Sequence, residues 1–329
     1  MITYRWYAGT APDDVCDLRR MLADAAAEDD EAGFPKVTAD EPDIAGATHL
    51  LVWLVPDERP GDGRRVTRVP TLAAYLRLEA GAGGEGLVRF VVRPELRSRG
   101  IATMLFEQLG LDVRAAGGWA GTGVCALRGW ARGDHPAADR MARRLHRWGV
   151  RRTRREWQLS MPLRAGREIG SGIGSGSGTG SGPVSGSATG VRAFDPDTDS
   201  AALTRLLAAA GRSPGPDRDG YLFVAPGAGT ATGTATGAGE LRGAVSVDPD
   251  AGQRTEYGVA GRITEMVVHP GHTDGRTGTD LLVAALESLR DKGLRVAAIT
   301  LDPDDEDLVR DCRRLGFLHD RTDCLYEVP

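Results

Sequence analysis

Little in this chain suggests a scaffold held by covalent or metal cross-links. Its four cysteines, Cys16, Cys125, Cys312 and Cys324, form no CxxC pair, and its six histidines are scattered rather than spaced as metal ligands. Reduced thiols, no structural zinc and no metal cofactor are expected. No run approaches the roughly 18 apolar residues that a membrane span needs. The opening MITYRWYAGTAPDD carries neither a basic leader nor an apolar stretch ending in a small-residue cleavage site, so a cytoplasmic protein with no membrane partner is expected. A basic excess is also missing: the formal net charge is -5, which argues against a phosphate-backbone binder. The locally basic RMARRLHRWGVRRTRR at 140–155 reads as a solvated helix face plus a turn, and no nucleic-acid partner is expected.

At 329 residues the chain is too long for one ordinary core and fits two domains,. Residues 170–190, GSGIGSGSGTGSGPVSGSATG, carry almost no side chain able to bury apolar area and read as a flexible linker. The expected division is an N-terminal domain over 1–165, a linker over 166–190 and a C-terminal domain over 191–329. A second low-complexity stretch at 227–239 reads as an enlarged hairpin loop,.

On both sides of the linker one order of elements recurs, the signal of a tandem duplication. The first half reads strand (ITYRWY), helix (12–27), three strands (48–55, 71–80, 86–92), helix (98–116), strand (123–130), helix (136–149) and strand (155–163). The second half repeats this from VRAF to the closing DCLYEV. Leu281, Leu282, Ala285, Leu286 and Leu289 fall on one helical face, with Glu287, Arg290 and Asp291 turned away,. Helices interleaved with a meander of strands imply an α/β fold: two mixed, mostly antiparallel sheets flanked by helices.

The stretch VVRPELRSRGIATML (91–105) joins a strand to a helix through a proline, two arginines and a glycine. A helix start leaves backbone N–H groups unpaired. With Arg97 and Arg99 beside it, and Gly100 and Ala102 keeping side chains out of the way, the junction is an anion cradle suited to a pyrophosphate.

With Val92, Pro94, Arg97, Gly100, Ala102 and Leu105 in place, the stretch resembles the acetyl-CoA motif of the GCN5-related N-acetyltransferases, Val-x-Pro-x-x-Arg/Gln-x-x-Gly-x-Gly/Ala followed by Leu. The tandem arrangement, GDHPAADRMARRL (133–145) leading into RTRREWQLSMPL (152–163), and the closing TDCLYEV resemble the mycothiol synthase branch of that family over nearly the full chain. The resemblance implies acetyl-CoA as co-substrate and a small-molecule amine as acceptor, namely the cysteine amine of cysteinyl-glucosaminyl-inositol; a monomer without metal is expected.

By the same resemblance, coenzyme A is held by Phe90, Val91, Val92, Arg97, Ser98, Arg99, Gly100, Ile101 and Ala102 in the first copy. In the second it is held by Met266, Val267, Val268, Thr273, Asp274, Gly275, Arg276, Thr277, Gly278 and Thr279, with Asp305 and Arg310 on the next helix. The second copy departs from the pattern. Thr273 stands for Arg or Gln, Arg276 for the first glycine, Asp305 for an asparagine and Cys312 for a tyrosine. Arg262 replaces an acidic substrate contact and Thr300 a strand tyrosine.

Acetyl transfer needs a neutral amine, an acceptor for its proton and a donor for the departing thiolate. Glu265 is a candidate base or a solvent-facing strand carboxylate, Cys312 a candidate donor or a packed helix residue, and Tyr326 a candidate donor or a packing residue. His135 reads as a cap or a packing residue. Two outcomes stay open: an acetyltransferase, or an acetyl-CoA-binding tandem protein whose C-terminal site is degenerate, either non-catalytic or acting on another small amine.

Overall fold

The computed structural model describes residues 1–8, 15–31, 46–55, 70–163, 190–212, 221–227, 240–272 and 275–329. The expected linker (save Gly190), residues 228–239, Thr273 and Asp274 lie outside the described residues. The chain forms two compact units, Met1–Arg155 with Thr322–Pro329, and Glu156–Arg321.

The first unit is built on strands β1 (Ile2–Ala8), β2 (Thr48–Leu54), β3 (Thr71–Ala80), β4 (Glu85–Val92) and β5 (Ala126–Ala131). Its sheet runs β1-β2-β3-β4-β5 and is completed by residues 322–328 of the chain's last strand, β12 (Leu318–Val328). Neighbours are antiparallel except β4 and β5, which pair in parallel from Glu85↔Ala126 to Val88↔Gly129. β4 continues on β3 as far as Val92↔Ala74, so β4 and β5 part beyond Val88.

Alternation along a strand sends successive side chains to opposite faces. Leu51 packs under helix α1 (Val15–Glu31) with Leu18, Met21 and Leu22. Its neighbours Leu50 and Val52 pack on the other face with Ile101, Leu105 and Phe106 of α2 (Ile101–Leu109) and Leu145 of α3 (Pro136–Leu145). The helix expected over 98–116 stops at Leu109, because Gly110, at φ 68, caps it through an N–H bond to the Phe106 carbonyl. His135 is the N-cap of α3, its Nδ1 accepting from the Ala137 N–H at 3.1 Å,.

The second unit repeats this plan. Strands β7 (Arg192–Ala193), β8 (Tyr221–Pro226), β9 (Leu241–Thr255), β10 (Gly258–Val268) and β11 (Val296–Leu301) line up in that order. The sheet is completed by residues 157–162 of β6 (Arg151–Pro162). The parallel pair is β10–β11, from Gly261↔Ala297 to Ile263↔Ile299. Helix α4 (Pro196–Ala209) covers one face through Ala202, Leu203, Leu206 and Leu207. Helices α5 (Thr277–Asp291) and α6 (Glu306–Leu315) cover the other. The expected leucine stripe of α5 is fully buried there, each side chain contributing about 2 kcal/mol. The β9–β10 hairpin closes at Glu256–Tyr257.

The units do not follow the halves 1–165 and 191–329: β6 and β12 each begin in one unit and end in the other. Apolar patterning marks these segments as strands but cannot say which sheet takes them. Among the described residues no helix is long and apolar enough to cross a membrane.

Candidate acetyl-CoA site

In the first unit, β4 ends at Phe90, Val91 and Val92, and Pro94–Leu96 form a 3₁₀ turn whose Pro94 carbonyl accepts the Arg97 N–H at 3.1 Å. Arg93 fastens the turn to β3 by donating from Nε to the Leu72 carbonyl at 2.6 Å. The chain then passes through Ser98 at φ 60 and Gly100 at φ 82 before α2 begins at Ile101. The first helical bond runs from the Met104 N–H to the Gly100 carbonyl at 2.9 Å, so the N–H groups ahead of it have no intrahelical partner.

A β-carbon built on Gly100 meets no atom within 4 Å. Glycine is needed there for its left-handed backbone, and the open space in front of it is what a phosphate requires. Arg97 is engaged otherwise than its sequence suggests: its Nη1 lies 2.8 Å from Asp29 and 3.5 Å from Glu28 of α1, and its Nε donates to the Val92 carbonyl at 3.3 Å. It clips α1 to the turn. Arg99 is exposed.

The second unit holds Met266, Val267 and Val268 at the corresponding strand end. Its loop bends one residue earlier: Gly275 has φ 65, whereas Arg276 sits at φ −107 and ψ −35, an ordinary right-handed conformation. An arginine therefore fits where the first unit needs glycine. Gly278 is needed for packing, since a β-carbon there would lie 2.6 Å from Oδ2 of buried Asp311 on α6 and 3.2 Å from the Met266 methyl. Thr279 hydrogen-bonds the Asp311 carboxyl, which burial pushes above the usual carboxylate range. Asp305 is the N-cap of α6, accepting from the Leu308 N–H at 3.1 Å, and Arg310 pairs with Asp307 at 2.6 Å.

The three catalytic candidates are not gathered in one unit. Glu265 is half-exposed on β10, just past a bulge in its pairing with β9, with Arg212 Nη1 at 4.0 Å. Cys312 is fully buried in the second core, and burial, reinforced by Asp311 and Asp305, pushes its thiol up to about 12. It stays protonated and packed, a poor donor to a departing thiolate. Tyr326 belongs to the first unit, where its hydroxyl donates to Asp139 of α3 at 2.6 Å. Burial and that bond raise the phenol's pKa, and the same bond holds Asp139 below its usual value.

Two residues that stand out in the sequence as departures prove to be partners. Arg262 Nη2 donates to the Thr300 hydroxyl at 3.2 Å, and that hydroxyl donates to Oε1 of Gln158 at 2.5 Å. The row spans β10, β11 and β6 beside the point where β10 and β11 part. Among the described residues the buried Arg262 Nε has no acceptor. Gln158 carried no signal in the sequence, because its place opposite Thr300 depends on which sheet β6 joins.

No family model matches the chain. A curated relative from Salinispora arenicola, named mycothiol acetyltransferase, is 32% identical over 92% of this chain and 89% of its own. Another of that name, from Sanguibacter keddieii, is 30% identical over 85% of each. Among solved structures, a tandem GNAT (GCN5-related N-acetyltransferase) protein from the clavulanic acid biosynthesis pathway superposes with a TM-score of 0.58 at 17% identity, over 99% of this chain and 98% of that one. The fold is thus that of a tandem GNAT protein, and the chain belongs to the mycothiol acetyltransferase family, enzymes that transfer an acetyl group.

Proposed function

We propose that this enzyme acetylates the cysteine amine of cysteinyl-glucosaminyl-inositol to give mycothiol. The observation that carries the reading is the turn at Ser98–Ala102, an open cradle of helix-start N–H groups at the end of a parted strand, which fits the pyrophosphate of coenzyme A. In the first unit the gap beyond Val88 and Gly129 offers unpaired strand edges to the pantetheine arm of that coenzyme A, and in the second unit the gap beyond Ile263 and Ile299 offers the same to a coenzyme A of its own. In this reading the acceptor amine attacks the thioester carbonyl, its proton passes to Glu265 directly or through water, and the thiolate of coenzyme A leaves.

One observation favours a different acceptor. The Arg262–Thr300–Gln158 row sets a cation beside the gap where the family presents an acid, which suits a small amine carrying an anionic or strongly hydrogen-accepting group. Mass spectrometry of a reaction with acetyl-CoA and cysteinyl-glucosaminyl-inositol, run beside a mixture of small amines, separates the readings. Acetylation of the precursor in preference to the mixture supports the synthase. Acetylation of another amine alone supports the second reading, and no product from any amine, despite coenzyme A binding, identifies a non-catalytic binder.

A further inference from the structure

The six histidines show no metal-ligand spacing in the sequence, yet the fold of the second unit brings two of them to one carboxylate. His269 and His272 bracket a Pro-Gly turn after β10, and Glu240 precedes β9. The β9–β10 ladder ends at Gly243↔Val268, and the His269 N–H continues it by donating to the Arg242 carbonyl at 2.8 Å. Extending that register brings Glu240 level with Gly271, between the two histidines.

One donor atom from each of Glu240, His269 and His272 lies within 4.8 Å of the others. Nε2 of His269 is 3.8 Å from Oε1 of Glu240, and the two imidazole rings meet edge to face at 5.3 Å. The backbone around the donors is fixed: the Glu240 carbonyl accepts from the Gly227 N–H at 2.6 Å, and the His272 N–H donates to the His269 carbonyl at 2.9 Å.

We propose that Glu240, His269 and His272 form a binding site for a divalent transition-metal ion of the zinc class, independent of the acetyl-transfer chemistry. Two imidazoles and one carboxylate exclude calcium and magnesium, which take oxygen donors. The same set suits Zn²⁺ or Co²⁺ with a fourth position left to water. Donors of a tetrahedral site with bonds of about 2.0–2.1 Å lie about 3.4 Å apart, so side-chain rotations of the exposed Glu240 and partly exposed histidines close the site. Coordination through His269 Nε2 moves the ring proton to Nδ1. That gives up the bond Nδ1 now accepts from the Gly271 N–H at 3.0 Å, a cost the coordination bond has to exceed. The ion would tie the end of β8–β9 to the loop that feeds α5.

The test is a titration of the metal-free full-length protein with Zn²⁺ by calorimetry and with Co²⁺ by visible absorption. The wild type should bind one equivalent, with d–d bands and no thiolate charge-transfer band. His269→Ala and His272→Ala should each weaken binding by at least about tenfold, the loss caused by removing even a supporting group of a metal site, and Glu240→Gln should weaken it less. Zn²⁺ should raise the melting temperature of the wild type and leave that of the double histidine variant at its own metal-free value. Absence of stoichiometric binding, binding undiminished in the double variant, or a thiolate band from exposed Cys16 or Cys125 would each overturn the proposal.

Discussion

The two strand-to-helix turns are copies of one device built on different residues. In the first unit the left-handed bend falls on Gly100 with open space before it, and the second position after it carries the side chain of Ala102. In the second the bend has moved to Gly275, Arg276 is right-handed, and the glycine that cannot be replaced is Gly278, wedged against Asp311. One motif letter therefore has two physical meanings: freedom of φ in one turn, closeness of two helices in the other. The comparison breaks hardest at Gly100. Gly100→Trp should abolish coenzyme A binding to the first unit, because the indole fills the cradle and a β-carbon at φ 82 adds strain of about 1–2 kcal/mol,. Arg276→Gly should change affinity at the second unit by less than about tenfold, since that backbone does not require glycine. Calorimetry on the full chain reads both, and unchanged binding in Gly100→Trp would remove the first turn from the site.

The next effect is on stability. Gly278→Ala forces a β-carbon to 2.6 Å from a buried carboxyl oxygen, and overpacking of this kind costs about 1–3 kcal/mol. Ala102→Gly, the mirror change, should cost only about 1 kcal/mol, through helix propensity. Denaturant unfolding of the two variants compares them, and equal losses would mean that the two turns pack alike.

Much of this was legible because periodicity reports burial. The α5 stripe from Leu281 to Leu289, the alternation of Leu50, Leu51 and Val52, and the proline-to-glycine punctuation of the first turn each follow from residues close in sequence. What was not legible depends on pairing between distant segments. Arg97 reads as a phosphate ligand until α1 brings Asp29 to it. Gln158 is an anonymous polar residue until β6 lies against β11, and Glu240 joins His269 and His272 only through the β9–β10 register. The strand exchange is invisible for the same reason, since a strand's pattern names its buried face and not its neighbours.

The Arg262 row sharpens the comparison at the level of substrate. Arg262→Met removes a guanidinium whose buried Nε has no acceptor among the described residues and gives up its Nη2 bond to Thr300, so the variant should fold about as stably as the wild type. If the cation meets the acceptor, its KM should rise about tenfold or more, the order expected of a lost charge-assisted hydrogen bond, with the KM for acetyl-CoA unchanged. An unaltered acceptor KM would make the row structural.

The smallest expected effect concerns Tyr326, which the first unit binds to Asp139 where the second unit has no described equivalent pair. Asp139 is held below its usual value chiefly by the Tyr326 hydroxyl. Its contribution to stability is therefore complete above the unfolded carboxylate value of about 3.9 and is lost as pH falls through the lowered folded value. The phenol is raised, so its side of the bond holds until pH rises past about 10, the unfolded tyrosine value. Tyr326→Phe should cost about 1 kcal/mol at pH 7, a charge-assisted bond discounted for the exposure of Asp139, and less at pH 3. Urea unfolding at both pH values measures the difference, and a loss that is the same at both would show that the hydroxyl matters by packing rather than through the ionised carboxylate.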